Sequence, residues 1–322
     1  MADYVITGAS GFIGRTLAAR LRERGDTVRG MDVRPDPDAG VVAGDVTDPA
    51  SWQDVIERGA TVVHTAALVS NLPTLEEAWR VNTLGTRRVL DAAVARGAKR
   101  VVYLSSVRAF SDTGFPDGVT EAHPLRPDGN PYVDTRIAAE QAALQAHAAG
   151  EIEVTVVRPG DVYGPGSRPW TLLPVQMIKA GRFLLPAMGR GIFSPVYVDD
   201  LVSGLVLAAD RPEASGQVFT LAGGVGVENR VFFGHYYRML GKRGPVVMPT
   251  SAALALAASV ARVNRLRGAS DDETNTTAVR YFCRTGTYSI EKARTMLGYD
   301  PQVDLDEGMR RTEAWLREVG EL

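Results

Sequence analysis

Residues 3–14 read Asp3-Tyr4-Val5-Ile6-Thr7-Gly8-Ala9-Ser10-Gly11-Phe12-Ile13-Gly14, and the placing of their glycines decides the fold. A short apolar strand runs into a glycine turn, which opens a helix carrying Leu17 and Leu21. A dinucleotide pyrophosphate needs that succession. Gly8 permits the tight turn, Gly11 lets the backbone approach the phosphates, and Gly14 lets helix and strand pack closely. The helix start then offers unpaired N–H groups and a positive dipole end to the anion. Ser10, Phe12 and Ile13 complete the loop and count with the glycines as expected cofactor contacts.

Working outward, a second strand over Thr27–Met31 ends at Asp32. A carboxylate at that place accepts the adenosine ribose hydroxyls and repels a 2′-phosphate, so it selects NAD over NADP. Arg34, two residues on, is the one neighbour that would suit a 2′-phosphate.

Apolar strand runs keep alternating with helical patterns. Strands are expected at 3–7, 27–32, 41–43, 60–64, 100–105 and 153–158, and helices at 12–24, 50–58, 74–96 and 132–148. A later helix is expected at 197–209 and a strand at 218–221. This is the signature of an α/β chain with a doubly wound parallel (Rossmann) sheet. Segments 166–195 and 224–300 are richer in glycine, proline and mixed patterns, and read as insertions over the strand ends, where ligands bind. The expected division is a dinucleotide-binding domain of 1–165 and 196–223, with a smaller substrate-binding lid of 166–195 and 224–322.

Bulk properties narrow the function classes. The 322 residues carry a net charge of −2, so no basic surface invites nucleic acid. The single cysteine, Cys283, has no disulfide partner and no companion metal ligands, and no metal site is expected. A first strand beginning at residue 3 leaves no room for a signal peptide. The longest apolar stretch, Ala252 to Ala261, is half of what a bilayer span requires. A cytoplasmic enzyme acting on a small molecule is the expectation.

Further motifs carry a resemblance. They are Gly44-Asp45-Val46, His64-Thr65-Ala66-Ala67, Asn82, Ser105-Ser106, Tyr132, Arg158-Pro159-Gly160 and Val162-Tyr163-Gly164-Pro165-Gly166. With the glycine loop, the chain resembles an extended short-chain dehydrogenase/reductase over nearly its whole length. That superfamily includes nucleotide-sugar epimerases and 3β-hydroxysteroid dehydrogenases. The resemblance implies that Asp45 and Val46 hold the adenine and that Ala66 and Ala67 line the pyrophosphate. It further implies that Asn82 gives polar support from behind, and that Pro159 borders the cofactor. It also implies a homodimer built on helices 74–96 and 132–148, where Ala138, Ala139, Ala142 and Ala143 allow close packing against a partner or against the sheet.

By the same resemblance the chemistry sits on Ser106 and Tyr132. Hydride transfer at an alcohol carbon requires a group that moves the hydroxyl proton, and a phenolate can do it. An ordinary phenol has a pKa of ~10, so acting near neutrality demands a drop of about three units, worth roughly 4 kcal/mol. Neighbouring positive charge supplies such a drop. Ser106 would donate to the substrate oxygen.

Here the chain departs from its family. The usual lysine, four residues after the tyrosine and on the same helix face, is Arg136. Arginine keeps the charge and can bond the cofactor ribose, but it does not release a proton. Protons delivered by water, a reaction without net relay, and loss of redox chemistry all follow from that change; the first is favoured.

Substrate signals point away from nucleotide sugars. Such members carry an asparagine beside the Tyr-Gly-Pro segment and an arginine before the Val-Tyr-Val-Asp-Asp segment. This chain has Asp161 and Val162 at the first place and Ser194 at the second. Asp161 is expected to repel a diphosphate, while Arg168, Arg182 and Arg190 read as surface charges. The closing stretch Tyr288 to Tyr299 resembles the 3β-hydroxysteroid dehydrogenase-like branch. The lid is rich in Trp170, Leu172, Phe183, Leu185 and Phe193, most of which read as the lid's own core. The helix from Ala252 to Val263 can flank a substrate or touch a membrane surface. The leading expectation is an NAD-dependent oxidoreductase interconverting a secondary alcohol and ketone on a bulky hydrophobic molecule. The alternatives are an epimerase or dehydratase that keeps its NAD, and a non-catalytic cofactor-binding regulator.

Overall fold

The computed structural model of the chain describes residues 2–112, 114–266 and 276–322. Part of the expected lid, 267–275, lies outside the described residues. The first strands and helices follow in the order β1 (Asp3–Thr7), α1 (Phe12–Glu23), β2 (Thr27–Asp32), β3 (Val41–Ala43), β4 (Thr61–His64), α2 (Leu75–Ala78), α3 (Gly85–Ala95), β5 (Arg100–Leu104), α4 (Pro131–Ala148) and β6 (Glu153–Pro159). After β7 (Asp161–Tyr163) and α5 (Leu173–Lys179) come β8 (Ile192–Phe193), β9 (Pro195–Tyr197), α6 (Val198–Asp210) and β10 (Val218–Leu221). The chain ends through β11 (Val227–Glu228), α7 (Asn229–Met239), α8 (Thr250–Leu266), α9 (Thr276–Tyr281), α10 (Glu291–Leu297) and α11 (Leu305–Glu318).

Among the described residues a seven-stranded sheet runs β10-β6-β5-β4-β1-β2-β3. Every pairing in it is parallel. Alternation decides the layers. Tyr4 and Ile6 of β1 face Leu17 and Leu21 of α1 with Leu201 and Leu205 of α6. Val5 faces the other way, with Val89 and Leu90 of α3 and Ala139 and Ala143 of α4. Both faces are therefore covered, which is why the central strands are apolar without a polar side. Strand order reverses between β1 and β4, and ligands bind such sheets at that switch, beyond the strands' carboxyl ends.

Two expected helices differ. The helix expected at 50–58 is a pair of short 3₁₀ turns, Pro49–Ser51 and Gln53–Val55. Trp52 and Ile56 are too few to stripe a helix. Each plugs the core separately, and the Trp52 indole donates to the Asp45 carbonyl at 3.0 Å. The helix expected at 74–96 starts from a Thr74–Glu77 capping box. It then widens into a π-helical turn over Trp79–Leu84 that contains Asn82.

A buried ion pair ties sheet to helix beside the strand ends. Arg158 of β6 pairs with Glu140 of α4, both sealed from solvent. Glu140 also accepts from Ser105 Oγ at 2.9 Å, and the Arg158 guanidinium lies 4.7 Å from the Phe110 ring centre. Beyond the main sheet, β7 pairs parallel with β9 and β8 antiparallel with β11. Phe183 and Phe193 pack there on Phe232 and Phe233 of α7. Among the described residues no helix is long and apolar enough to cross a membrane.

Candidate active site

The glycine loop folds as a cradle at the switch point. Gly8 has φ +74°, and a Cβ there would sit 2.7 Å from the Ala66 nitrogen, so the turns after β1 and β4 touch. A Cβ on Gly14 would sit 2.3 Å from the Gly8 oxygen. The α1 N-cap, Gly11, caps through no side chain, leaving the first-turn N–H groups for an anion. A Cβ on Gly166 would meet the Phe12 ring at 3.5 Å, so the two residues adjoin and close one side, and Ile13 is half-buried.

Asp32 ends β2 with its carboxylate fixed by two backbone donors, Ser10 at 3.1 Å and Arg34 at 3.0 Å. Ser10 Oγ donates to the Arg34 carbonyl at 2.6 Å. The Arg34 side chain itself is 78% exposed. Beyond β3, Asp45 accepts from Thr47 N at 2.8 Å, and Val46 is buried against Gly85 of α3. Ala66 and Ala67 are half-buried after β4. From the π turn, Asn82 bonds both backbone groups of Leu68, at 2.8 and 3.2 Å, and Thr135 Oγ1 of α4 at 3.2 Å. It thereby fixes the 65–68 segment to α4. Pro159 is buried at the end of β6. Every expected cofactor residue of the loops thus lies beyond a parallel strand's carboxyl end or on the helix that follows it.

Ser106, Tyr132 and Arg136 come together beside this cradle. Asn130 caps α4 by accepting from Tyr132 N at 2.9 Å, and Pro131 opens the helix. Tyr132 is therefore buried in the first turn, with Arg136 one turn on. Arg136 is 3% exposed. Its Nε lies 3.5 Å from the Tyr132 hydroxyl and its Nη1 donates to the Tyr103 hydroxyl at 3.1 Å. Burial works to raise the Tyr132 phenol. The Arg136 guanidinium, with help from Arg108 and the Ser106 hydroxyl, overcomes that and holds it below the ordinary phenol value. Tyr103 goes the other way, pushed by burial up to about 12 despite Arg136. Behind them His64 sits between Thr7 Oγ1 (2.6 Å) and Thr86 Oγ1 (3.0 Å). Burial, then the charge of Arg136, lowers it to about 3, so it stays neutral near pH 7.

Sequence reasoning missed the residues that surround Tyr132 from outside its helix. Arg108, two residues beyond Ser106, lies 5.1 Å from the Tyr132 ring centre and 5.2 Å from that of Tyr281. Its Nε donates to Asp112 at 2.9 Å, and both terminal nitrogens reach Asn71 Oδ1 at 3.2 Å. Trp170 stacks on Tyr281 at 5.1 Å. The Arg–Asp spacing of four was visible in the sequence; nothing in it pointed toward the tyrosine.

Asp161 corrects an expectation. Its carboxylate is not presented to a ligand, because Arg284 (3.0 Å), Ser194 N (2.9 Å) and the Tyr281 hydroxyl engage it. Repulsion of a diphosphate by Asp161 is therefore not a feature of this site. Arg168, Arg182 and Arg190 are exposed, while Phe183, Leu185 and Phe193 are buried lid core.

Comparison with known proteins gives concordant likenesses. The sequence pattern of the NAD dependent epimerase/dehydratase family matches residues 4–222. The chain is 32% identical to the 4-hydroxy-2-methyl-3-oxo-4-farnesyl-3,4-dihydroquinoline-1-oxide ketoreductase of Stigmatella aurantiaca, over 94% of this chain and 93% of that protein. It is 27% identical to the 2-alkyl-3-oxoalkanoate reductase of Stenotrophomonas maltophilia (strain K279a), over 96% and 98%. Among solved structures, MoeE5 in complex with UDP-glucuronic acid and NAD superposes with a TM-score of 0.79 at 28% identity, over 99% of this chain and 100% of that one.

Proposed function

The chain belongs to the NAD dependent epimerase/dehydratase family, and from that premise we propose that it interconverts a secondary alcohol and a ketone on a bulky, hydrophobic small molecule. It is an NAD-dependent oxidoreductase of the extended short-chain dehydrogenase/reductase type. The observation that carries the reading is the buried Tyr132 phenol, held below its ordinary pKa beside the Ser106 hydroxyl and the glycine cradle. The cradle fits the cofactor, since a Cβ at Gly8 or Gly14 would strike neighbouring backbone and open the turn, while the start of α1 carries no side-chain cap over its N–H groups. Gly8, Ser10, Gly11, Phe12, Ile13 and Gly14 would hold its pyrophosphate, with Ala66 and Ala67. Asp32 would hold its ribose, and Asp45 and Val46 its adenine. When bound, nicotinamide supplies the acceptor or donor of the substrate's hydride.

The residues act as follows. Ser106 Oγ accepts from Arg108 N at 3.1 Å, and its proton, which supports the Tyr132 oxygen when no substrate is bound, turns to the substrate oxygen. Tyr132 takes the hydroxyl proton in oxidation and returns it in reduction. Arg136 keeps its charge throughout, because the Tyr103 and Tyr132 oxygens facing it outweigh its burial. Water passes the proton onward. Residues 166–195 and 224–322 supply the substrate-binding region.

The hydrophobic substrate is supported by the relative from Stigmatella, whose name specifies a farnesylated ketone. It is supported too by the engagement of Arg108 and Arg284 with Asp112 and Asp161, which leaves neither as an uncompensated cation for a diphosphate. The likeness to the UDP-glucuronic acid complex favours a second reading, an epimerase or dehydratase that returns its hydride. The deciding experiment screens hydrophobic secondary alcohols with NAD for reduced-nicotinamide absorbance. A signal lost in Tyr132→Phe supports the proposal. Tight UDP-sugar binding, with NAD retained and no net reduction, overturns it in favour of the second reading.

Charge, rather than proton release, is the task assigned to position 136. Arg136→Lys is expected to keep kcat within a few-fold, while Arg136→Met lowers it about 10²-fold. In the oxidation direction the rate rises with pH as the phenol ionises and then levels. With burial unopposed by Arg136, the Met variant should need a higher pH to reach its plateau. A pH–kcat series on the three proteins checks this, and an unmoved profile in Arg136→Met rejects it.

We also propose a homodimer. The α2–α3 unit packs along α4, and Leu75, Trp79 and Leu84 on it are exposed. Ala138 and Ala142 are half-buried, while Ala139 and Ala143 pack on the sheet. Sedimentation should show a dimer at micromolar concentration; monomer alone would rule it out.

A further inference from the structure

We propose that Arg108 is a second positioning cation for Tyr132, sharing with Arg136 the work of sustaining the phenolate. The inference rests on the reading of Tyr132 as the acid–base group.

Arg136 holds the phenol loosely. Its Nε stands 3.5 Å from the hydroxyl, at the outer limit of a hydrogen bond, and its Nη1 is committed to Tyr103 at 3.1 Å. Lysine concentrates its charge on one nitrogen, whereas the guanidinium spreads it over a plane. Arg108 approaches from a different element. It lies in the short 3₁₀ turn Val107–Phe110 that Ser106 caps, so the turn that places the hydroxyl also places the cation. Its side chain is 13% exposed and that of Asp112 only 4%. The guanidinium is sandwiched between the rings of Tyr132 and Tyr281, at 5.1 and 5.2 Å, within reach of a cation–π attraction. Trp170 backs Tyr281 from the lid side.

Charged and titratable groups meet Tyr132 from several elements. On its own helix stands Arg136. The β5–α4 connection brings Ser106, Arg108 and Asp112, β5 brings Tyr103, and the chain from α9 onward brings Tyr281 and Arg284, the latter paired with Asp161. Glu140, farther along α4, is matched by Arg158. Arg108 thus pairs with Asp112, beside which Asp128 accepts from the Asp112 N–H at 3.0 Å, and Arg284 pairs with Asp161, while Arg136 faces the Tyr132 and Tyr103 oxygens. A guanidinium within about 5 Å in a dry site is close enough to move a pKa by a unit or more.

The test needs no substrate. The tyrosinate ultraviolet absorbance of the intact protein is titrated with pH, and the Tyr132→Phe curve is subtracted to isolate Tyr132. Arg108→Met is expected to shift that titration upward by about one pH unit, a tenfold loss of phenolate at fixed pH. Arg108→Gln, which can still bond Asp112, should do the same if the Met variant folds poorly, and Arg108→Lys should recover part of the shift. NAD binding should stay within a few-fold in all three. A folded neutral variant that titrates like the parent overturns the proposal and leaves Arg108 a staple of its turn. A parent whose Tyr132 ionises no earlier than an ordinary phenol overturns the acid–base reading itself. Absence of turnover with every alcohol tried, with the titration shift present, would fault only the substrate assignment.

Discussion

Tyr132→Phe is expected to lower kcat by about 10²–10⁴-fold while NAD binding and the fold persist. The substitution removes one oxygen and keeps the ring, which fills the space between Arg108 and Arg136 at 5.1 and 5.4 Å from their guanidinium carbons. What disappears is the group that carries the proton in the transition state. Arg136 loses one of the two phenol oxygens it faces, so a modest loss of stability is also expected. The diagnostic pattern is a fall in kcat with KM for NAD unchanged, since the glycine cradle and Asp32 lie on other elements. The cleanest check compares steady-state rates of the parent and variant with one hydrophobic alcohol, alongside a fluorescence titration of NAD. Retention of more than about a tenth of the parent's kcat would remove Tyr132 from the chemistry.

The second large effect is on stability. Glu140→Ala strips the partner from Arg158, which is 3% exposed, and the acceptor from Ser105. An uncompensated buried guanidinium costs about 3–5 kcal/mol, a large share of the roughly 5–15 kcal/mol that holds a protein folded. The midpoint of denaturant unfolding should fall accordingly. Replacing both partners, Glu140→Gln with Arg158→Met, should recover most of the loss, because no unmatched charge is then left behind. A single variant as stable as the parent would mean that water reaches Arg158 readily.

Much of this was legible in the sequence because it was local. The turn Gly8–Gly14 and the acid Asp32 have fixed spacing from apolar strands, and they lie where that spacing puts them. Tyr132 and Arg136 sit one helical turn apart, so their juxtaposition is a property of α4 alone. Segment 50–58 misled because two apolar residues mimic a helical stripe while serving as separate plugs. The π turn around Asn82 leaves no mark on the hydrophobic period, which continues through it. Arg108 and Tyr281, and Asp161 with Arg284, were out of reach for another reason. Asp161 and Arg284 are 123 residues apart, Arg108 meets Tyr132 and Tyr281 only across separate elements, and a lone arginine in a turn looks like a solvated one.

Asp161 belongs to β7, one residue after Pro159 and Gly160 leave the main sheet, yet its charge is matched by Arg284, just beyond α9. The C-terminal part is therefore not an interchangeable cassette. A chimera that grafted a relative's C-terminal segment without an arginine at 284 would leave a sealed, unmatched carboxylate beside Ser194. Laboratory diversification of specificity in this chain is better directed at side chains such as Trp170, which bear no such obligation, than at wholesale exchange of the segment.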